Sequence, residues 1–293
     1  ASLILLFCRL LRRGGLRSLA DFFSWWLLTI AGIAAAYFLF WGLNYYTPPV
    51  TEQLGMETQA YGLEELTDAA AYYIEQMNVY AAKVQRLPDG TADLGSFKQL
   101  SLQSCVAMEH LGQQYPRLSG LYSPTKAVML SGLMQKTAIS GVYSPFTGEC
   151  NVNPSMPAVE LPFTMAHELS HRVAVTQENE ANYIAFLACE GAGEPELRYS
   201  GYYFAFVYCY NAVAKQDREK QAALYDMIDE AVLADIAAVR ADRVQNEGTL
   251  NQVTERINDR YLKAMDQQDG VQSYGKVVDL LIAHYLDIQE QIQ

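Results

Sequence analysis

LPFTMAHELSHRVAVTQENEANYIA, residues 161–185, carries the strongest pattern in the chain. Pro162 suits the first turn of a helix, where its missing N–H has no partner to lose, and the apolar spacing after it predicts a helix over 162–173. His167 and His171 stand four residues apart, so that helix presents them on one face. Two imidazoles on one face reach a single zinc ion, and Glu168 beside the first is placed to take a proton from a water that the metal activates.

A catalytic zinc takes a third protein ligand and keeps its fourth position open. The next helix, over about 177–190, carries Glu178, Ala181, Asn182 and Ala185 on one stripe, whose alanines let it approach the metal closely. Glu178 is the expected third ligand, and Asn182 is expected to support a ligand by a hydrogen bond. Glu180 lies about 200° round the same helix, beside Tyr183, Ile184 and Leu187, and is expected to point elsewhere. One unbroken helix would lift Glu178 about 16 Å along the axis from His167, so the chain must turn between them. Val173–Ala174–Val175–Thr176 is the expected break, with Thr176 as the N-cap. The other two histidines, His110 and His284, read as packing or capping residues.

The N-terminus has a different composition. Residues 22–43, FFSWWLLTIAGIAAAYFLFWGL, hold no charge and are long enough to cross roughly 30 Å of hydrocarbon as a helix. A cleaved signal peptide would have a shorter apolar run and a small-residue cleavage site, whereas this run exits through Trp41, Tyr45 and Tyr46, rings that favour a membrane interface. Arg9, Arg12, Arg13 and Arg17 precede the run, and the next basic residue is Lys83. The positive-inside bias then places the basic loop in the cytoplasm and everything after Tyr46 outside. The opening ASLILLF looks like the tail of an earlier apolar segment, which suggests that a first span has been mostly lost. The expected organisation is a membrane anchor over 1–46, with a transmembrane helix at 22–43, and an extracytoplasmic domain over 47–293.

The whole chain carries 21 Lys and Arg against 33 Asp and Glu, a formal charge of −12. The first fifty residues hold four of those bases and one acid, so the remainder stands at −15. That balance argues against nucleic acid as a partner, because binding phosphates needs a basic face. It also predicts a domain that stays clear of anionic lipid and touches the membrane only through the N-terminal helix. The five cysteines show no metal-site or disulfide spacing. Helices are expected over 63–85, 97–115, 195–215, a charged run to about 246, 249–267 and 274–289. KAVMLS (126–131), ISGVYS (139–144) and GECNVN (148–153) read as short strands of a small sheet, with a hairpin at Pro145–Gly148. The fold class is therefore α+β, mostly α-helical, with a zinc-binding helix beside a small sheet.

HELSH followed by Glu178-x-x-Ala181-Asn182 resembles the Glu-zincin pattern, in which HExxH lies on one helix and ExxA(D/N) on the next. WGLNYYTPP (41–49), GVYSPFTGECNVN (141–153), RYSGY (198–202) and SYGKVVDLLIAHY (273–285) extend the resemblance to an uncharacterised bacterial family of membrane-anchored proteins with a domain of unknown function. One departure is Ala174, where many members carry Gly. The resemblance implies a zincin-like domain, one Zn2+ held by His167, His171 and Glu178, and a strand at GVYSPFTGECNVN that pairs with an extended peptide. Arg198 and Tyr199 are candidates to donate to the oxyanion of an attacked carbonyl. The expected function is an outward-facing zinc metallopeptidase of the bacterial cytoplasmic membrane, acting on peptides or proteins of the cell envelope with Glu168 as general base. The competing reading is a zinc-dependent peptide sensor or assembly factor without turnover. A third reading, an intramembrane protease, would need the motif inside an apolar span, and Glu160, Arg172 and Gln177 around it place the site better in water above the membrane.

Overall fold

The computed structural model describes residues 15–56, 59–248, 254, 256 and 274–292. Residues 1–14, with Arg9, Arg12 and Arg13 of the basic loop, and most of the helix expected over 249–267 lie outside the described residues; Arg17 falls in the first helix. The chain divides into two units, 1–46 and 47–293.

In the first unit, α1 runs Gly15–Phe40. Its stretch Ala20–Phe40 is long and apolar enough to cross a membrane, and none of it is buried. The helix stops three residues short of the expected 43, and Gly42–Tyr46 forms a 3-10 turn. There the Trp41 Nε1–H donates to the Tyr45 hydroxyl at 3.3 Å.

The second unit is mostly helical. A short α2 (Val50–Gln53) precedes α3 (Leu63–Ala81), which ends four residues before the expected 85. The chain instead forms a small antiparallel hairpin, β1 (Gln85–Arg86) with β2 (Ala92–Asp93), closed through Gly90 at a φ of 86°. Next comes α4 (Phe97–Gln114), started by the Ser96 side chain, which accepts from the Gln99 N–H.

The three-stranded sheet follows: β3 (Lys126–Ala127), β4 (Gly141–Ser144) and β5 (Glu149–Val152), in the spatial order β3-β5-β4. β4 and β5 are the expected antiparallel hairpin, with Tyr143 opposite Cys150. Only Lys126 and Ala127 of KAVMLS pair as strand, because the chain then coils into α5 (Ser131–Lys136). β4 is thus an edge strand.

The remaining helices are α6 (Leu161–His171), α7 (Glu178–Glu190), α8 (Pro195–Gln216), α9 (Arg218–Tyr225), α10 (Glu230–Asn246) and α11 (Tyr274–Ile292). The charged run to 246 is two helices and not one, since the chain turns over 226–229 and Asp229 leaves helical geometry before α10; α9 itself is set off from α8 by Asp217, whose side chain accepts from the N–H groups of Glu219 and Lys220. The hub is α8, with α3, α6, α7, α9 and α11 packed around it. Buried Tyr73, Phe186, Tyr199, Tyr202, Tyr203 and Phe206 fill the space between. Each such ring removes about 150–250 Å² from water, worth several kcal/mol at about 25 cal/mol per Å². This packing makes α6 and α7 inner helices, so the motif sits on a rigid floor.

Candidate metal centre

α6 is buried along almost its whole length. Its start is held from α8: the Ser200 hydroxyl accepts from the Phe163 N–H at 3.0 Å and donates to the Val159 carbonyl at 2.6 Å. That satisfies one N–H that a helix leaves without an internal partner. Beyond His171 the helix breaks as expected. Ala174 takes a φ of 60°, the left-handed region, and the Val175 N–H turns back to the Ser170 carbonyl. The Val175 carbonyl then accepts from His171 Nδ1–H at 2.7 Å. With Nδ1 protonated, the lone pair of His171 sits on Nε2, which faces the next helix.

α7 begins at Glu178. Its N-cap is Gln177 without a side-chain hydrogen bond, so Thr176 is not the cap; it is buried one residue earlier. Ala181 and Ala185 are fully buried, which allows α7 to lie close against α6. The close packing brings the Glu178 carboxylate to both rings, 3.2 Å from His167 Nε2 and 3.9 Å from His171 Nε2. One ligand atom from each of the three residues falls within 4.8 Å of the others. Two donors each about 2.0–2.1 Å from a tetrahedral zinc stand roughly 3.3 Å apart, so the set fits such an ion after a small contraction.

The electrostatics of the cluster are dominated by the Glu178 carboxylate. Burial works against charge on His167, but hydrogen bonding and charge from Glu178 outweigh it and raise its pKa to about 8. Asn182 stands by the same ring and adds to that rise. Glu178 resists burial through the same pair, and its carboxyl falls to about 2. His171 is lowered, chiefly by burial. Burial pushes Glu168 up to about 8, and its Oε2 is enclosed without a hydrogen-bond partner. A buried carboxylate oxygen without a partner is costly unless something else supplies the hydrogen bond, such as a water or a ligand. Beside it runs β4, where a Cβ added to Gly141 would fall 2.4 Å from Glu168 Oε1.

A family model described as "Protein of unknown function (DUF3810)" matches residues 1–282, through both the apolar helix and the motif helices. The chain belongs to the DUF3810 family. No curated protein and no solved structure matches it.

In this DUF3810 chain the other expected site residues fall as follows. Glu180 points away, as its helix face requires: its Oε1 accepts from the Thr51 N–H at 2.7 Å and the Thr51 hydroxyl at 2.8 Å. Tyr199 and Arg198 do not reach the cluster, which corrects the oxyanion assignment. Tyr199 is fully buried, and its hydroxyl donates to Asp235 Oδ2 beside Arg86. Arg198 donates to the Ala192 carbonyl and to the Tyr80 hydroxyl. Both positions on α8 face α3 and α10, where these groups tie helices together. His284, expected as a packing or capping residue, pairs with Glu190 at 2.9 Å. Cys105, Cys150, Cys189 and Cys209 are free and buried thiols.

The structural roles of two DUF3810 residues escaped the sequence reading. Gly141 left a usable signal, a glycine opening an edge strand just before the motif. Arg172, next to His171, donates to the carbonyls of Leu121 and Gly148 and so fastens the β4–β5 turn to the motif helix. A charged residue directly after a buried helix was its only trace.

Proposed function

We propose that this protein is a membrane-anchored zinc metallopeptidase of gluzincin type, with its catalytic domain outside the cytoplasmic membrane. The observation that carries the reading is the convergence of His167, His171 and Glu178 beside a buried Glu168 with an unpartnered oxygen. His167, His171 and Glu178 would hold the ion, with the His171 ring oriented by the Val175 carbonyl. Zinc supplies Lewis acidity there, acidifying a water and polarising a carbonyl. Glu168 accepts the proton from the attacking water and returns it to the leaving amine. β4 is an edge strand among the described residues and lies next to Glu168, and an extended peptide would add to it through backbone hydrogen bonds. Its nearness to the general base favours peptides over small esters or sugars as substrates.

The test is metal analysis of the purified full chain together with digestion of a mixed peptide library, wild type against Glu168→Ala. One zinc per chain and cleavage by the wild type alone support the reading. Zinc with peptide retention but no cleavage by the wild type would favour a sensor or assembly factor. Absence of zinc from both proteins would remove the metal centre altogether.

A further inference from the structure

Apolar side chains scattered singly over a surface carry no message, because much of any protein surface is apolar. A contiguous set does. Around β4 and α5 the surface exposes Met129 (97%), Leu130, Leu133, Ile139, Val142 and Phe146. The first five form one rim by construction. The Val128 N–H bonds the Val152 carbonyl and the Asn153 N–H bonds the Ser140 carbonyl, which brings both ends of the α5 excursion to one end of the sheet. Ile139 is fastened to α5 through the Met134 carbonyl and Val142 follows it on the edge strand, whereas Phe146, in the hairpin turn, stands at the opposite end of the sheet.

Charge sets this rim apart from the rest of the molecule. From residue 110 to residue 148 there is no Asp or Glu, whereas a chain with 33 acids in 293 residues would place about four in that length. The bases in the run are Arg117, Lys126 and Lys136; Lys136 is exposed beside Leu133, and Lys126 pairs with Glu149 at the sheet margin. Net charge is a global quantity and a headgroup meets only what lies within about a Debye length, so −15 overall does not keep this face from anionic lipid. The carboxylates that reach this face from outside the run are engaged, Asp242 by Gln135 of α5 and Glu149 by Lys126; exposed apolar side chains flanked by lysine are the composition of surfaces that lie in a bilayer interface.

We propose that the α5–β4 rim docks on the surface of the membrane, with Met129, Leu130 and Leu133 entering the interface and Lys136 meeting anionic headgroups. The proposal rests on α1 as the membrane anchor, because the domain begins at Thr47, seven residues after that helix ends, and so never leaves the reach of the bilayer. It deepens the peptidase reading. Arg172 ties the hairpin turn to the motif helix and Gly141 touches Glu168, so docking the rim would hold the cleft at the membrane surface. The substrate class that follows is membrane-proximal polypeptide: the juxtamembrane stretch of a membrane protein or the stem of a lipid-anchored one.

The test uses the full chain, since α1 holds any variant in the vesicle and simple binding is uninformative. A Cys8→Ser chain with Leu133→Cys carries an environment-sensitive fluorophore, and a second with Glu219→Cys serves as a control on α9, where Glu219 is exposed. The other cysteines are buried and remain unlabelled. Each chain is reconstituted at low density in phosphatidylcholine vesicles containing phosphatidylglycerol. The expected result is a blue-shifted Leu133→Cys label, quenched several-fold more by acyl-brominated lipid than the control, with the difference reduced by Lys136→Glu. Equal quenching of the two labels by aqueous iodide overturns the proposal, as does a chain that does not enter the vesicles. Shielding that appears only at high protein density would mean a second copy on the rim, and shielding only on adding peptide would mean substrate; each also overturns it. Neither readout uses zinc or hydrolysis, so failure of the peptidase reading and failure of docking are distinguishable.

Discussion

Glu178 and Glu180 sit two residues apart on one helix and meet entirely different partners, the two histidines for one and Thr51 for the other. If the cluster holds zinc, Glu178→Gln should weaken zinc affinity by more than the roughly 10–100-fold usual for a supporting residue, while Glu180→Gln leaves it unchanged. Competition with a chromogenic chelator reads both. Glu168→Gln should keep the metal and lower turnover by about 10²–10⁴-fold, the usual worth of a general base; turnover within tenfold of wild type in a zinc-replete variant would reject its role. Gly141→Ala is a sharper probe, because the added methyl would displace the Glu168 carboxylate. Zinc retained with at least tenfold lower kcat is the expected outcome.

The break between α6 and α7 is where an element boundary decides chemistry. It reverses the chain within Arg172–Gln177 and delivers the Val175 carbonyl to His171, so the turn that brings Glu178 back also orients a ligand. Ala174 adopts left-handed geometry that disfavours any side chain by about 1–2 kcal/mol, and glycine removes that strain. The greater freedom of glycine in the unfolded chain offsets part of the gain. Ala174→Gly should therefore stabilise the protein, by up to about 1 kcal/mol, seen as a higher urea midpoint at unchanged slope. At the other end of α6, Ser200→Ala leaves the buried Phe163 N–H without its acceptor and should destabilise by about 1–3 kcal/mol.

Over the whole molecule, the two raised groups of the cluster make stability depend on pH in one direction. In the metal-free protein His167 is held protonated to about pH 8, so its contribution is complete below the unfolded value near 6.5 and is lost as pH rises through 8. Glu168, raised to about 8 by burial, acts in the same sense, since the unfolded chain ionises it from about 4.5 upward. His171, whose pKa is lowered chiefly by burial, acts oppositely below its unfolded value near 6.5, so the chelator-treated protein should lose stability most clearly between about pH 6.5 and 8. Glu178 acts oppositely, but its window lies below its unfolded value near 4.5 and so outside that range. Saturating zinc should reverse the trend, because binding requires neutral imidazoles; thermal melts across pH with and without zinc check both curves. Topology has its own test. External protease on intact cells should degrade residues 47–293, and a domain protected until lysis would place it inside.

Some of this was legible without coordinates because it depends on rotation about one helix axis. Side chains repeat every 3.6 residues, so the pairing of His167 with His171 and the separation of Glu178 from Glu180 follow from spacing alone, as does the need for a break before Glu178. The uncharged run of α1 is legible for a similar reason, since length and composition suffice to show a helix able to span a bilayer. What spacing cannot say is which remote element a face will meet. Arg198 and Tyr199 stood in a suggestive place after the motif, yet α8 turns them toward Tyr80 and Asp235. Gly141 and Arg172 matter only because the β4–β5 hairpin folds onto α6, and the apolar rim exists only because the α5 excursion returns to the same end of the sheet. Those contacts join residues far apart in the chain, and their free energy comes from burial and hydrogen bonds that exist only once the helices have packed.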